Sequence, residues 1–134
     1  MKLKAPLSCE VRMTENKGWG VFATNFIAKD SIIEECYVLT IPQNSIQHDS
    51  SLFLDYRFNW PQGTEWKEQV LPMGLGWVYN HSNNNNAFWR DHPEYERVFQ
   101  FVANRNIYPG EEICTYYGDN SYWEDGRTHT NIVE

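Results

Sequence analysis

The amino-acid sequence predicts a single, mostly β domain with little helix. Its 134 residues, 41% of them hydrophobic, suffice for one hydrophobic core and argue against a second domain. The apolar runs are short and turn-forming residues separate them, which is typical of strands rather than long helices. We find neither a repeated segment nor a long linker, so we expect residues 1–134 to form one domain.

The first half of the chain contains three candidate segments. A strand is expected to start at 20–23, directly after a pair of glycines. A long strand is expected at 31–41, and Pro42 ends it because proline cannot donate to a sheet. Residues 52–58 fit either a strand or one turn of buried helix, and their periodicity does not choose between them.

The second half adds two predicted strands and a turn. Residues 71–79 include Gly74 and Gly76, which makes a long helix unfavourable there. The run at 97–103 is rich in β-branched and aromatic residues and predicts a strand. A turn at 108–110 precedes a last strand at 113–117, which Gly118 closes.

Composition restricts the partners. With 11 Lys and Arg against 18 Asp and Glu, the net charge is -7, which opposes nucleic-acid binding and favours a basic peptide or protein tail. Aromatic residues make up 16% of the chain, more than a small core needs, so some rings are expected to line a groove or channel.

The cysteines indicate an intracellular, reducing compartment. Cys9, Cys36 and Cys114 are widely spaced and form neither a disulfide framework nor a CxxC metal motif. The N-terminal residues lack the apolar stretch of a secretion signal, and no run is long and apolar enough to cross a membrane.

The stretch YNHSNNNNA at 79–87 allows three interpretations. Asn80 begins a formal N-x-S glycosylation acceptor, the asparagines could form a plain polar loop, or Asn80 and His81 could hold an adenosine-type ligand. Glycosylation of Asn80 would require secretion, and the sequence shows no secretion signal, so the first interpretation is rejected. As a metal ligand His81 has no suitably spaced partner in His48, His92 or His129, so no metal is expected.

Two further motifs are weak when taken singly. Gly18, Trp19 and Gly20 form a GxG that is either a β-turn or a close approach of the backbone to a ligand, without the third glycine and helix of a dinucleotide site. Glu111 and Glu112 precede a strand that ends in adjacent tyrosines, which could simply fill the core.

In this order along one chain, GxG, NHS and GEE with a Tyr-Gly strand end resemble the SET-domain lysine methyltransferases, most closely the minimal viral members that methylate histone H3. The resemblance implies small β-sheets around a C-terminal pseudoknot, a motif-bearing core at 17–123 and a short tail at 124–134. It also implies S-adenosylmethionine as the methyl donor.

The resemblance assigns the site residues. The catalytic residue would be Tyr117, whose hydroxyl would orient the lysine amine, and Tyr56 and Tyr122 would line the lysine channel. The implied cofactor-binding residues are Gly18, Trp19, Gly20, Asn80, His81 and Trp123.

The implied substrate is a basic protein tail, with histone H3 first, in the host nucleus. Two alternatives remain: a catalytically silent SET-like module that binds a basic tail, or a lysine methyltransferase for a non-histone protein, then expected in the cytoplasm. The resemblance to minimal viral members also suggests a homodimer.

Overall fold

The computed structural model describes residues 2–40, 58–60 and 68–116. Within them the chain forms nine strands and no helix. In chain order these are β1 (Cys9–Met13), β2 (Trp19–Ala23), β3 (Ile32–Thr40), β4 (Phe58–Trp60), β5 (Glu68–Pro72), β6 (Asn80–His81), β7 (Ala87–Asp91), β8 (Val98–Ala103) and β9 (Glu112–Thr115). The predicted mostly β class is confirmed.

The strands form two sheets. One has four strands in the order β1-β2-β9-β6, and the other has five in the order β4-β5-β3-β8-β7. All pairings are antiparallel except that of β6 with β9, which is parallel. The last described strand therefore lies between β2 from the beginning of the chain and β6 from its second half.

The core is built mainly on β3 and β8. All six residues of β8 are buried, as expected for a central strand with both faces covered. Its one polar side chain, Gln100, accepts a hydrogen bond from Arg90 (2.8 Å) and donates one to Glu35 (2.9 Å). The predicted strand at 97–103 starts one residue later, because Arg97 has a left-handed φ of 60°.

Several strands were not predicted from the sequence. These are β1, β4, β5, β6 and β7, which are short or lack clear alternation. Of the ambiguous segment 52–58, only Phe58 is described, and it begins β4. The predicted last strand ends at Thr115, and its last predicted member, Tyr117, lies outside the described residues.

Two loops from the two halves of the chain pair with each other by reciprocal backbone hydrogen bonds. Residues 24–31 and 104–111 are loops that follow β2 and β8, and they pair with each other around a local two-fold relation. At its centre Ile27 and Ile107 form an isolated antiparallel bridge and exchange both backbone hydrogen bonds, each 2.8 Å long. Both isoleucines are buried, so this pairing joins the two halves of the chain in the core.

The same two-fold relation extends to both flanks of the bridge. Asp30 N–H donates to Ala103 O, and its counterpart Gly110 N–H donates to Ala23 O, both at 2.8 Å. Asp30 and Gly110 share a positive φ, 71° and 92°. Two equivalent positions also share a residue type, Ala23 with Ala103 and Ile27 with Ile107, which is too little to mark a repeat in the sequence.

Candidate functional site

The predicted GxG forms a tight turn at the start of β2. Gly18 has a φ of 73°, which only glycine adopts without strain, and its carbonyl accepts bonds from the Thr14 amide and hydroxyl, both 2.7 Å. The Thr14 hydroxyl oxygen also accepts from Lys17 N–H at 2.8 Å. The turn projects Trp19 outward, with 59% of this large apolar side chain exposed.

Gly20 is required for a different reason, the close approach of side chains. A Cβ built at this position would lie 2.6 Å from Glu112 Oε2, 2.9 Å from Asn80 Nδ2 and 3.0 Å from Thr14 Cγ2. Because Gly20 has only a hydrogen in place of a Cβ, the side chains of Glu112, Asn80 and Thr14 can meet in this space.

Glu112 connects the GxG turn with the Asn-His strand. One carboxylate oxygen lies 2.7 Å from Lys17 Nζ, and both side chains are largely buried. The other accepts a hydrogen bond from Asn80 Nδ2 at 2.8 Å, and the same amide group donates to Trp19 O at 3.1 Å. A carboxylate that binds both an ammonium and an amide in a shielded position holds these two segments together more strongly than a neutral group would.

β6 consists of Asn80 and His81 alone and pairs with Cys114 and Thr115 of β9. The pairing continues to Ser82, whose N–H donates to Thr115 O at 3.0 Å. The His81 ring is buried, lies 3.0 Å through Nε2 from Asn83 Oδ1, and packs 5.1 Å from the Tyr116 ring. The imidazole is thus used to fix the strand.

One of the asparagines that follow has an equally specific role. Asn86 is buried, and its side chain donates to Glu112 O and accepts from Cys114 N–H, both at 2.8 Å. It thereby satisfies the backbone of β9 much as another strand would. Asn84, in contrast, is exposed and contacts Arg105. The asparagine run is therefore neither a uniform polar loop nor a uniform ligand site.

An open cavity of about 430 Å³ adjoins the turn and is lined by residues 12–17 with Phe22 and Glu112. That volume is within the usual range for small-molecule sites. Glu112 belongs both to this cavity and to the contacts with Asn80, so the cavity and the paired motifs share one wall.

The structure brings together Gly18, Trp19, Gly20, Asn80 and His81 as the sequence predicts. The remaining predicted site residues lie outside the described residues: Tyr56, Tyr117, Tyr122 and Trp123. Sequence reasoning missed the roles of Lys17, Asn86 and Glu112, although the acidic pair at the start of β9 was noted as part of a motif.

Among the described residues, no group of three or more His, Cys, Asp and Glu side chains is arranged to hold a metal ion. No helix in this part of the chain is long and apolar enough to cross a membrane.

Comparison with known proteins agrees with this architecture. The sequence model of the SET-domain family matches residues 18–118, from the GxG turn to the glycine that follows Tyr117. A histone-lysine N-methyltransferase of Schizosaccharomyces pombe, described as H3 lysine-37 specific, is 34% identical over 125 residues, which cover 92% of this chain and 80% of that protein.

The fold has a relative of known structure as well. A crystal structure of a Plasmodium falciparum protein proposed to be a histone methyltransferase superposes with a TM-score of 0.70 at 28% identity, covering 88% of this chain and 96% of that one. The chain belongs to the SET-domain family. As a member of it, the protein is a protein lysine methyltransferase.

Proposed function

We propose that this protein transfers a methyl group from S-adenosylmethionine to a lysine of the histone H3 tail. The observation that carries the proposal is the convergence of the GxG turn and the Asn-His strand on Glu112, within a chain that has the SET fold. The similarity to the S. pombe enzyme supports histone H3 as the substrate and a nuclear site of action.

The residues around the GxG turn and β6 fit such a cofactor. The GxG turn combines an exposed indole at Trp19 with a backbone that Gly20 leaves uncrowded, and a cavity of suitable size adjoins it. β6 is the edge strand of its sheet as far as the structure describes it, so one side of its backbone faces away from β9. Backbone N–H and C=O groups at a strand edge can form hydrogen bonds with the polar edge of an adenine.

The cofactor supplies an electrophilic methyl group, and the task of the protein is to position and deprotonate the lysine. A lysine amine with a pKa of about 10.4 in water is mostly protonated, and an apolar channel favours its neutral form by removing water. We assign the channel to Tyr56 and Tyr122, and the orienting hydroxyl to Tyr117. Trp123 would pack against the bound nucleoside.

Charge supports a basic substrate. The net charge of -7 raises the local concentration of a lysine-rich tail, and salt screens this attraction between exposed groups. Raising ionic strength is expected to increase the Michaelis constant for a histone H3 peptide and to change cofactor affinity much less. A peptide Michaelis constant that is independent of salt would contradict the electrostatic part of the proposal.

Three structural expectations belong to the same proposal. The C-terminal residues would thread past β6 and β9 as a pseudoknot, residues 17–123 would form the motif-bearing core of one domain, and the protein would form a homodimer. The parallel β6–β9 pair supports the first, because a threaded segment needs a strand laid beside the Asn-His motif. Light scattering under assay conditions tests the last.

The decisive experiment measures transfer of labelled methyl from S-adenosylmethionine to core histones and, separately, to a lysate of the source cells. Tyr117→Phe removes one hydroxyl and is expected to abolish most of the transfer without loss of cofactor affinity. Tyr108→Phe, which removes a hydroxyl from an exposed ring that packs on Phe26, is the matched control and should retain full activity.

The outcomes separate the alternatives. Label on histone H3 that disappears in Tyr117→Phe supports the proposal. Label confined to the lysate indicates a non-histone substrate. Folded protein that binds the cofactor but labels nothing indicates the silent tail-binding module.

A further inference from the structure

A carboxyl group on the central strand of the larger sheet is buried without a cation. Glu34 of β3 is 1% exposed, and its Oε1 accepts a hydrogen bond from the Tyr79 hydroxyl at 2.6 Å. Its Oε2 accepts a longer bond from Leu75 N–H at 3.3 Å, and the Cys36 thiol also contacts it. No ion pair to Glu34 is present among the residues that the structure describes.

The loop between β5 and β6 closes over this carboxyl group. Gly74 has a φ of 74°, and a Cβ there would lie only 2.8 Å from Glu34 Oε2. The same loop continues through Leu75 to Tyr79, which is 2% exposed and stacks on Phe101 with ring centroids 4.7 Å apart. Glu34 therefore holds the loop at its beginning and at its end.

The residue at the end of the loop lies directly before the cofactor motif. Tyr79 is followed by Asn80 and His81, which make up the whole of β6. A two-residue strand fixes itself poorly, since little pairing energy is available to oppose the loss of chain entropy. The position of β6 must therefore depend largely on the contacts of the residues that precede and follow it.

We propose that Glu34 is a positioning residue for the cofactor site, acting through Tyr79 and the Leu75 amide to hold β6 in register with β9. The inference rests on the proposed use of Asn80 and His81 for cofactor binding. It explains why a carboxyl group is kept in an apolar core: a carboxylate can accept from both ends of the loop at once, which an apolar side chain cannot. Burial raises the pKa of Glu34, in keeping with a group that no cation neutralises.

The test compares Glu34→Gln with Glu35→Gln. Both substitutions remove one carboxylate from adjacent positions of β3, but Glu35 contacts Gln100, His92 and the Lys4 amide, away from β6. Affinity for S-adenosylmethionine is measured by calorimetry, and amide hydrogen exchange is followed at Ser82, whose N–H bonds to β9.

Glu34→Gln is expected to weaken cofactor binding about tenfold, equivalent to about 1.4 kcal/mol, and to speed exchange at Ser82 by a similar factor. Tyr79→Phe should reproduce both effects, and the double variant should be no worse than the worse single one, because both changes break the same contact. Glu35→Gln should change both measurements by less than about twofold.

The inference is overturned if folded Glu34→Gln matches Glu35→Gln in cofactor affinity and in Ser82 exchange, or if the double variant is additive. Should Glu34→Gln fail to fold, Tyr79→Phe decides alone, since it removes one hydroxyl and keeps the ring. Should the wild type bind no S-adenosylmethionine, the proposed function fails, and the exchange measurement still decides whether Glu34 positions β6.

Discussion

Replacing Gly20 with alanine tests whether the meeting point of the GxG turn, Asn80 and Glu112 is a single packed unit. The added methyl would lie 2.6 Å from Glu112 Oε2 and 2.9 Å from Asn80 Nδ2, both well inside normal contact distance. Gly20 does not have a positive φ, so alanine fits the backbone and the effect is steric. To make room, the Asn80 amide and the Glu112 carboxylate must both move away from the new methyl group.

The size of the effect follows from two overlapping losses. Overpacking a filled space costs about 1–3 kcal/mol, and a hydrogen bond to a charged group contributes about 1.5–3 kcal/mol. Because the methyl displaces the same atoms that form the bond, we expect a combined loss of about 2–4 kcal/mol in the free energy of unfolding. Cofactor affinity is expected to fall at least about tenfold, since Asn80 moves.

Urea unfolding and calorimetry with S-adenosylmethionine measure the two effects. Gly110→Ala is the control: its φ is 92° and no atom lies within 4 Å of the added Cβ, so it introduces backbone strain without a collision. We expect that control to lose about 1–2 kcal/mol of stability and to bind the cofactor normally. Wild-type cofactor affinity in folded Gly20→Ala, or a loss of cofactor affinity in Gly110→Ala as large as that in Gly20→Ala, would refute the reasoning.

Three further predictions concern buried polar groups. Glu34 has a pKa above its ordinary 4.5 because of burial, so its contribution to stability is present below pH 4.5 and is lost as pH rises through the raised value. Burial opposes the shift of Glu35, but hydrogen bonds hold its pKa below 4.5, so its contribution is lost only as pH falls through the lowered value. In urea unfolding at several pH values, the free energy of unfolding of Glu34→Gln should therefore fall less steeply than that of the wild type above pH 4.5. The free energy of unfolding of Glu35→Gln should fall less than that of the wild type at acid pH. Asn86→Ala removes the two hydrogen bonds that the Asn86 side chain forms with the β9 backbone and should cost about 2–4 kcal/mol in urea unfolding, against under about 1 kcal/mol for Asn85→Ala; equal losses would contradict this. Burial, assisted by the charge of Glu34, raises the pKa of Cys9 to about 11, so iodoacetamide should react with it roughly a hundredfold more slowly than with an unfolded cysteine, and faster in Glu34→Gln.

The sequence-based predictions succeeded where local pattern and structure coincide. β3 and β8 are long, apolar and rich in β-branched residues, and both lie close to their predicted bounds. β6 could not be predicted in this way, because two residues have no periodicity and owe their extended form to β9. Asn80 and His81 were singled out as candidate ligand-binding residues by their side chains and by the motif resemblance, and no strand pattern contributed.

The connections inside the site could not be predicted for a related reason. Glu112 contacts Lys17 and Asn80 across large separations in sequence, and no spacing rule predicts which carboxylate faces which amide. Asn86 was indistinguishable from its asparagine neighbours in sequence, yet it is the one that satisfies the β9 backbone. Only the folded structure distinguishes the buried Asn86 from an exposed asparagine of the same run such as Asn84.

The position of β9 between β2 and β6 has a consequence for how the protein is made. One edge of β2 pairs with the neighbouring β1, but its other edge is filled only when Val21 can pair with Ile113, so this contact closes most of the chain into a loop. Such nonlocal closure is slow relative to helix formation, because the entropy of the loop is lost before many contacts form. During synthesis on the ribosome, the edge of β2 that pairs with β9 would stay unpaired until about the first hundred residues had been made and β9 followed. The proposed methyl-donor site would then form in a single late step, when β9 pairs with that edge of β2, rather than gradually as the chain grows.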